Sequence, residues 1–170
     1  MEKNYCRLPV FLDFRCVAKR AKIGDVVEVP TKKGLAYAHF THKDPQWGSL
    51  LRVLPGLFTD RPAAFADLVL KDAIFVSFFP LQAALNRAIF EVVTNCPVPP
   101  KAADFPLFRA PGWADKSGKV LDWWLWDGQK SWQIGTLTEE QRKLPIKEVI
   151  NDTLLIERIQ DGWTSAKDIS

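Results

Sequence analysis

KIGDVVEVPTKKGLAYAHFTH, residues 22 to 42, alternates short apolar runs with turn residues and predicts the first β-hairpin of the fold. We expect two strands, over about residues 25–29 and 35–41. Both runs are rich in β-branched or aromatic side chains, which suit a pleated and half-buried surface. The turn between them is built on Pro30, which presets φ, and on Gly34, which tolerates a positive φ.

Downstream of this hairpin, most of the chain is typical of further strands. GSLLRVLPG predicts a third strand that ends at Pro55-Gly56, and ADLVLKD and AIFVSFFP predict two more. AIFVSFFP is almost continuously apolar, as in a strand that is buried on both faces. Residues 89–93 are expected to form another strand. Residues 95–113 hold five prolines and predict a surface loop.

Helices are expected at two places, and a third segment is ambiguous. Pro80 opens a helix over PLQAALNRA, whose apolar stripe consists of Leu81, Ala84, Leu85 and Ala88. Residues 138–141 read TEEQ, a capping box, so a short helix should begin there and end before Pro145. TLLIERI, residues 153–159, fits a strand or a helix, and we favour a strand.

Together these elements predict the α+β fold class. We expect a β-rich single domain over residues 1–170, with mostly antiparallel strands and two or three short helices, because few strands are separated by helices. The length agrees with this, since about 150 residues is the usual size of one domain.

The stretch DWWLWDGQKSWQIG, residues 122 to 135, contains four of the seven tryptophans of the chain. Asp127-Gly128 between two aromatic runs predicts a second β-hairpin, with Asp127-Gly128 or Gly128-Gln129 as its loop. Either loop places Trp123, Leu125 and Trp132 on one face, which we expect in the core. The other face then carries Trp124, Trp126, Ser131 and Gln133, and it is covered either by another element or by a partner. A three-residue loop would exchange the two faces.

Charge and cysteine content bound the compartment and the partners. The net charge of +3 is uneven, with +4 over residues 1–33 and −3 over residues 121–170. The three cysteines, Cys6, Cys16 and Cys96, form no C-x-x-C pair, which indicates reduced thiols in a cytosolic protein. The first 22 residues lack the features of a signal peptide, and no apolar run is long enough to span a membrane. We therefore expect a cytoplasmic protein with no membrane partner.

Local catalytic and metal-binding signatures are weak. His39 and His42 should point to opposite faces of a strand, although a turn at Thr41 would let both reach one metal with Asp44. No further ligand cluster completes such a site, so we expect ordinary polar histidines, no metal and no cofactor. DKSGK, residues 115–119, lacks the spacing of a phosphate loop and predicts a polar turn. The chain is therefore expected not to be an enzyme.

One resemblance points to a function. The run KIGDVVEVPTKKGLAYAHFTHKD resembles the immunity protein 26 family, and the strand FVSFFP, a short helix and the tryptophan-rich hairpin follow in the same order. The resemblance covers about residues 22–163 and leaves residues 1–21 as an N-terminal extension or strand. These proteins are predicted bacterial immunity factors, encoded beside polymorphic toxins. The resemblance implies a non-catalytic α+β protein that binds a cognate toxin one-to-one.

The predicted partner surface combines two indoles with carboxylates of the acidic C-terminal third. Its residues are Trp124, Trp126, Asp127, Glu139, Glu140, Glu148 and Asp152, with Asp122, Glu157 and Asp161 in the same segment. Such a surface suits a toxin nuclease, whose substrate cleft must be positive.

Two alternative functions stay open. One is a nucleic-acid-binding β-domain that uses Arg15, Lys19, Arg20 and Lys22, which is less favoured because the basic bias is small. The other is an enzyme acting on small molecules, with His39 or His42 as the acid or base.

Overall fold

The computed structural model describes residues 20–168, and within them the chain forms eight strands and four short helices. The strands are β1 Asp25–Thr31, β2 Gly34–Asp44, β3 Gly48–Val53, β4 Phe75–Phe79, β5 Glu91–Asn95, β6 Phe108–Pro111, β7 Trp123–Trp126 and β8 Ser131–Gly135. The helices are α1 Ala66–Val69, α2 Leu81–Asn86, α3 Glu139–Arg142 and α4 Asp152–Gln160. The predicted β-rich α+β fold is confirmed, with one helix more than expected. The predicted N-terminal extension falls almost wholly outside the described residues.

The strands make two antiparallel sheets. The larger sheet has the order β4-β3-β2-β1-β5, and the smaller sheet has the order β6-β7-β8. One face of the larger sheet packs against α2 and α4 through Leu81, Leu85, Leu155 and Ile159. The opposite face packs against α1 at one end, and against the smaller sheet at the other through Leu50, Phe78, Phe108 and Trp126. The larger sheet is thus the middle layer of three.

The first hairpin pairs as predicted, although both strands are longer than expected. Thr31 pairs with Gly34, so the turn is Lys32-Lys33 and Pro30 lies inside β1. Gly34 has a φ of +130°, and a Cβ atom there would lie 2.8 Å from the carbonyl oxygen of Phe58. Glycine is therefore required where this turn meets the loop that follows β3.

ADLVLKD forms α1, so the prediction of a strand there was wrong. The buried side chains of the helix and its N-cap residue are Phe65, Leu68 and Val69. Their spacing of three and four residues is that of one helical face. All three pack against Tyr37 of β2 and its neighbours, which decides the local structure against β propensity.

TLLIERI lies in α4, so the favoured strand was wrong there as well. Asn151 caps the helix, and its side chain accepts a hydrogen bond from the Leu154 amide at 2.8 Å. Leu155 and Ile159, four residues apart, are the buried positions of the helix. The cap and this spacing are both visible in the sequence and favour a helix.

The other two helices follow their sequence signals closely. In α3 both hydrogen bonds of the predicted capping box form between Thr138 and Gln141, and the helix ends before Pro145. In α2 the residue at the N-cap position is Pro80. Ala88 was expected in the buried stripe of this helix, but it lies beyond the helix end, exposed and with a φ of +53°.

The proline-rich segment 95–113 is not wholly a loop, as had been expected. It contains a 3-10 turn at Pro100–Ala102 and the strand β6. Strand β6 pairs with β7, which begins twelve positions after β6 ends. The polar turn DKSGK joins the two strands, but it was not interpreted as a hairpin turn, so this pairing was not predicted.

Residues 145–150 connect the edges of the two sheets. The Arg109 amide donates to the Pro145 carbonyl at 2.9 Å, and the Lys147 amide donates to the Arg109 carbonyl at 2.8 Å. Further along, the Ile150 amide donates to the Phe78 carbonyl at 3.1 Å. One segment therefore covers an edge of β6 and an edge of β4, which would otherwise expose unpaired backbone groups.

Among residues 20–168, none of the helices has the length and apolar character that crossing a bilayer requires.

Candidate partner-binding surface

The tryptophan hairpin has the register that the predicted Gly128-Gln129 loop requires, and its faces are those predicted. Leu125 pairs with Trp132 and Trp126 with Ser131, and the Asp127 amide donates to the Lys130 carbonyl at 3.2 Å. The carboxylate of Asp127 accepts hydrogen bonds from the amides of Gln129 and Lys130, at 2.9 and 2.7 Å. These bonds lower the pKa of Asp127. A loop with an even number of residues leaves the alternation of the two faces unchanged.

The inner face of the smaller sheet carries Trp126, whose side chain is only 6% exposed. Its ring packs among Trp47, Phe78, Phe105 and Phe108, with centroid distances of 5.4 to 6.1 Å. The ammonium group of Lys147 lies 4.1 Å from the centroid of the same ring. Trp126 therefore belongs to the core between the two sheets, and its assignment to the partner surface is corrected.

Trp124 is half-buried and held by polar neighbours. Its indole nitrogen donates to the Asp122 carboxylate at 3.1 Å, and the amide of Gln133 donates to the same carboxylate at 2.9 Å. These contacts orient Trp124 and Asp122 within their own sheet. Part of the Trp124 ring stays accessible, so this residue remains a candidate contact.

The outer face of the smaller sheet, which points away from the larger sheet, is buried in one part and exposed in another. Trp123 and Leu125 are buried as predicted, beside the fully buried Arg109. The Arg109 guanidinium lies 5.0 Å from the Trp123 ring centroid and donates to the Ser165 carbonyl at 2.7 Å. Burial lowers the pKa of Arg109, whereas the charge of Asp168 raises it. The C-terminal segment thus covers this half of the face.

Three large apolar side chains stay exposed on the same face, and we call them the aromatic rim. They are Trp113 at 74%, Leu121 at 51% and Trp132 at 41% exposed. The Leu121 amide donates to the Trp113 carbonyl at 2.8 Å, so these two are neighbours across the hairpin that extends β6 and β7. Trp132 had been expected in the core, and that prediction was wrong because β8 is the outer strand of its sheet. Trp113 and Leu121 were missed, since the pairing of their segment was not predicted.

A groove opens beside the rim where β8 turns away from β7. Trp123 pairs with Gly135, which has a φ of +73°, and the chain then leaves the sheet. The groove has a volume of about 290 Å³. It is lined by Lys119, Val120, Leu121, Trp123, Thr136, Leu137 and Arg142. Its two charged lining residues are both cationic.

The predicted acidic residues are mostly engaged with neighbours in the same chain. Ion pairs join Glu139 to Arg142, Glu140 to Lys143 and Glu148 to Arg158. Asp152 lies in the first turn of α4, where a carboxylate is stabilised by the helix dipole. Glu157 and Asp161 are exposed near the end of the same helix. A continuous acidic surface is therefore not formed by this set, because cations alternate with its carboxylates.

The two histidines lie on β2 and are both hydrogen-bonded. His39 is fully buried, with Nε2 donating to the Cys96 carbonyl at 3.1 Å, and burial lowers its pKa. His42 donates from Nε2 to the Ala103 carbonyl at 2.9 Å, and its Nδ1 lies 3.0 Å from the Thr41 hydroxyl. Asp44 instead accepts from the amides of the turn after β2, including that of Trp47 at 2.7 Å. Residues 20–168 contain no group of three side chains placed to hold a metal.

A smaller cleft of about 110 Å³ lies beside His42 and includes Arg52 and Lys101. Arg52 is buried and donates to the carbonyls of Val69 and Lys71, so it anchors the end of α1. Lys101 is paired with Asp72 at 2.6 Å. The cations of this cleft thus already have structural partners.

The remaining predicted residues are only partly placed. Arg20 and Lys22 are exposed, whereas Arg15, Lys19, Cys6 and Cys16 lie outside the described residues. Cys96 is a half-buried free thiol, and burial raises its pKa. DKSGK forms the polar turn that was predicted, in which the Asp115 carboxylate accepts from the amides of Ser117 and Lys119.

Comparison with protein-family models, with curated proteins and with solved structures found no match to this chain.

Proposed function

We propose that this protein is a non-catalytic immunity protein that acts in the cytoplasm by binding one cognate toxin domain. The observation that carries the proposal is the aromatic rim. Large apolar side chains that stay exposed on one face favour burial against a partner, and tryptophan is enriched among the residues that dominate binding free energy. The resemblance of residues 22–163 to the immunity protein 26 family supplies the class of partner.

The rim, rather than the acidic residues, is assigned most of the affinity. Three of the predicted carboxylates have a cation of the same chain as a neighbour, which offsets part of their charge. Their role in the proposal is limited to the rate of encounter with a basic toxin surface. Trp124, half-buried beside Asp122, lies on the opposite face of the sheet from the rim and is a separate candidate contact.

The proposal is tested by co-expressing the chain with products of the flanking genes and scoring growth. A toxin that the chain neutralises should co-elute with it as a one-to-one complex. Replacing Trp113 and Trp132 by Ser should then weaken binding about 30-fold per residue and abolish protection, since residues that dominate an interface contribute about 2 kcal/mol or more each.

The matched control is Leu70→Ser, which changes an apolar side chain that is 56% exposed at the end of α1. It should leave binding and growth unchanged, because Leu70 lies away from the smaller sheet. Protection that survives the double tryptophan variant, or that is lost equally in Leu70→Ser, contradicts the assignment of the rim. The absence of any neutralised toxin among the flanking products contradicts the function itself.

A further inference from the structure

The groove beside the aromatic rim is an incomplete part of the smaller sheet. Strand β8 covers β7 as far as the pairing of Trp123 with Gly135, and then diverges. Residues 119–122 continue the line of β7 beyond that point and bridge to Ala114 on their other side. Across the groove stand Thr136 and Leu137, in the segment that leads to α3, and Arg142 at the end of α3. The groove is therefore a gap in the place that one more strand would occupy.

The backbone of Val120 faces this gap. The residues on either side of Val120 bond to the opposite strand of the hairpin. The Leu121 amide donates to the Trp113 carbonyl, and the Lys119 carbonyl accepts from the Asp115 amide. Backbone groups alternate in direction along an antiparallel strand, so the amide and carbonyl of Val120 point outward. Neither group bonds to another residue within 20–168. An extended chain placed in the groove can pair with both.

The charge and the size of the groove define the kind of chain that it can bind. Lys119 and Arg142 are cationic, and Arg142 approaches its own partner, Glu139, only to 3.9 Å. The volume of about 290 Å³ suits a few extended residues, and it is smaller than one turn of a helix about 10 Å across. Lys119 and Leu121 are two residues apart and therefore lie on one face of the extended segment, so they would face side chains two positions apart on a bound strand, an acidic one at Lys119 and an apolar one at Leu121.

We propose that the groove binds an extended segment of the partner protein, with an acidic and an apolar side chain two positions apart, by β-strand addition to Val120. Backbone pairing supplies affinity, while Lys119, Arg142 and Leu121 select the sequence, as in other proteins that add a peptide strand to an exposed sheet edge. This inference rests on the proposed function, because it takes the ligand to be part of a bound protein. It adds a specificity site to the rim.

The experiment selects a library of random twelve-residue peptides, displayed on phage, against the full chain. Enriched peptides should carry an acidic and an apolar residue two positions apart, and their binding is measured by fluorescence anisotropy. Val120→Pro removes the outward amide and should weaken binding about three- to ten-fold, the range for one hydrogen bond. Val120→Thr keeps the amide and should bind as the unchanged protein does. Lys119→Glu should weaken the acidic peptides and not neutral analogues.

A second arm tests the same pairing from the peptide side and does not depend on a variant that folds. Methylating the peptide amide that faces Val120 should abolish binding, whereas methylating the next amide should not. Failure to enrich any peptide, equal binding by Val120→Pro, or insensitivity to methylation overturns the proposal. Displacement of the peptide by inorganic phosphate alone, without an effect of methylation, would identify an anion site instead.

The toxin assay separates the two proposals. If Val120→Pro and Lys119→Glu neutralise a toxin as well as the unchanged chain does, strand addition is wrong and the immunity function stands. If the peptides bind as described but no toxin is neutralised, the proposal of strand addition in the groove stands and the immunity function is wrong.

Discussion

Replacing Trp126 by Ala tests whether this tryptophan belongs to the core or to a partner surface. The ring is almost fully buried and is contacted by rings from β4, from β6 and from the segment before β6. Burial of about 200 Å² at about 25 cal/mol per Å² gives an upper value of about 5 kcal/mol. Comparable substitutions cost about 3 to 5 kcal/mol. Because the neighbouring rings come from three separate elements and cannot close the cavity together, we expect a loss of about 4 kcal/mol.

The measurement is equilibrium unfolding in urea, followed by far-ultraviolet circular dichroism. With a slope of about 2 kcal/mol per molar urea, the midpoint should fall by about 2 M. Trp113→Ala is the matched control, since it removes the same ring from a side chain that is 74% exposed. It should change the unfolding free energy by no more than about 0.5 kcal/mol. A loss below about 1 kcal/mol for Trp126→Ala would refute the assignment of this ring to the core.

Three further outcomes follow from the cap of α4 and from two buried titratable groups. Asn151→Ala should cost about 1 kcal/mol in thermal or urea unfolding, because it removes the side-chain cap, whereas Thr153→Ala on the exposed face should not. Burial lowers the pKa of His39 in the folded state. The folded state should therefore lose stability as the pH falls from 7 through the unfolded pKa of about 6.5 and towards the lower folded pKa. His39→Gln should flatten this dependence of stability on pH. Burial and the hydrogen bond to Glu28 raise the pKa of Tyr37 to about 12. Its contribution to stability is therefore complete below the unfolded pKa of about 10 and is lost as the pH rises through the folded one. Absorbance at alkaline pH should show that Tyr37 ionises at this raised pH, and Glu28→Gln should lower the pKa of Tyr37. An unchanged pKa in that variant would contradict the contact.

Local patterns in the sequence determined the elements whose signals are contained within a few neighbouring residues. The first hairpin, the capping box of α3, the polar turn at Asp115 and the second hairpin all follow from such signals. Turn and cap residues act through hydrogen bonds to backbone groups only two to four positions away. Their placement therefore does not depend on where the rest of the chain lies.

The helices α1 and α4 show where these patterns led to the wrong structure, since a strand was predicted for ADLVLKD and was favoured over a helix for TLLIERI. Each segment is apolar and partly β-branched, so a strand and a helix are both compatible with composition. The choice was made by burial, with Leu68 and Val69 on one helix and Leu155 and Ile159 on the other packed against opposite faces of the larger sheet. Burial on this scale outweighs the small differences in intrinsic propensity.

The candidate site depended most strongly on tertiary structure. Composition alone shows seven tryptophans, but not that Trp126 fills the space between two sheets while Trp113 and Trp132 stay exposed. That division follows from which strand lies at an edge and from where residues 145–150 and the C-terminal segment cover the smaller sheet. These contacts join residues far apart in the chain, and their free energy is gained only when the layers pack together. The periodicity of the sequence therefore specified the alternation of side chains along each strand, and the packing of the layers decided which of them reach solvent.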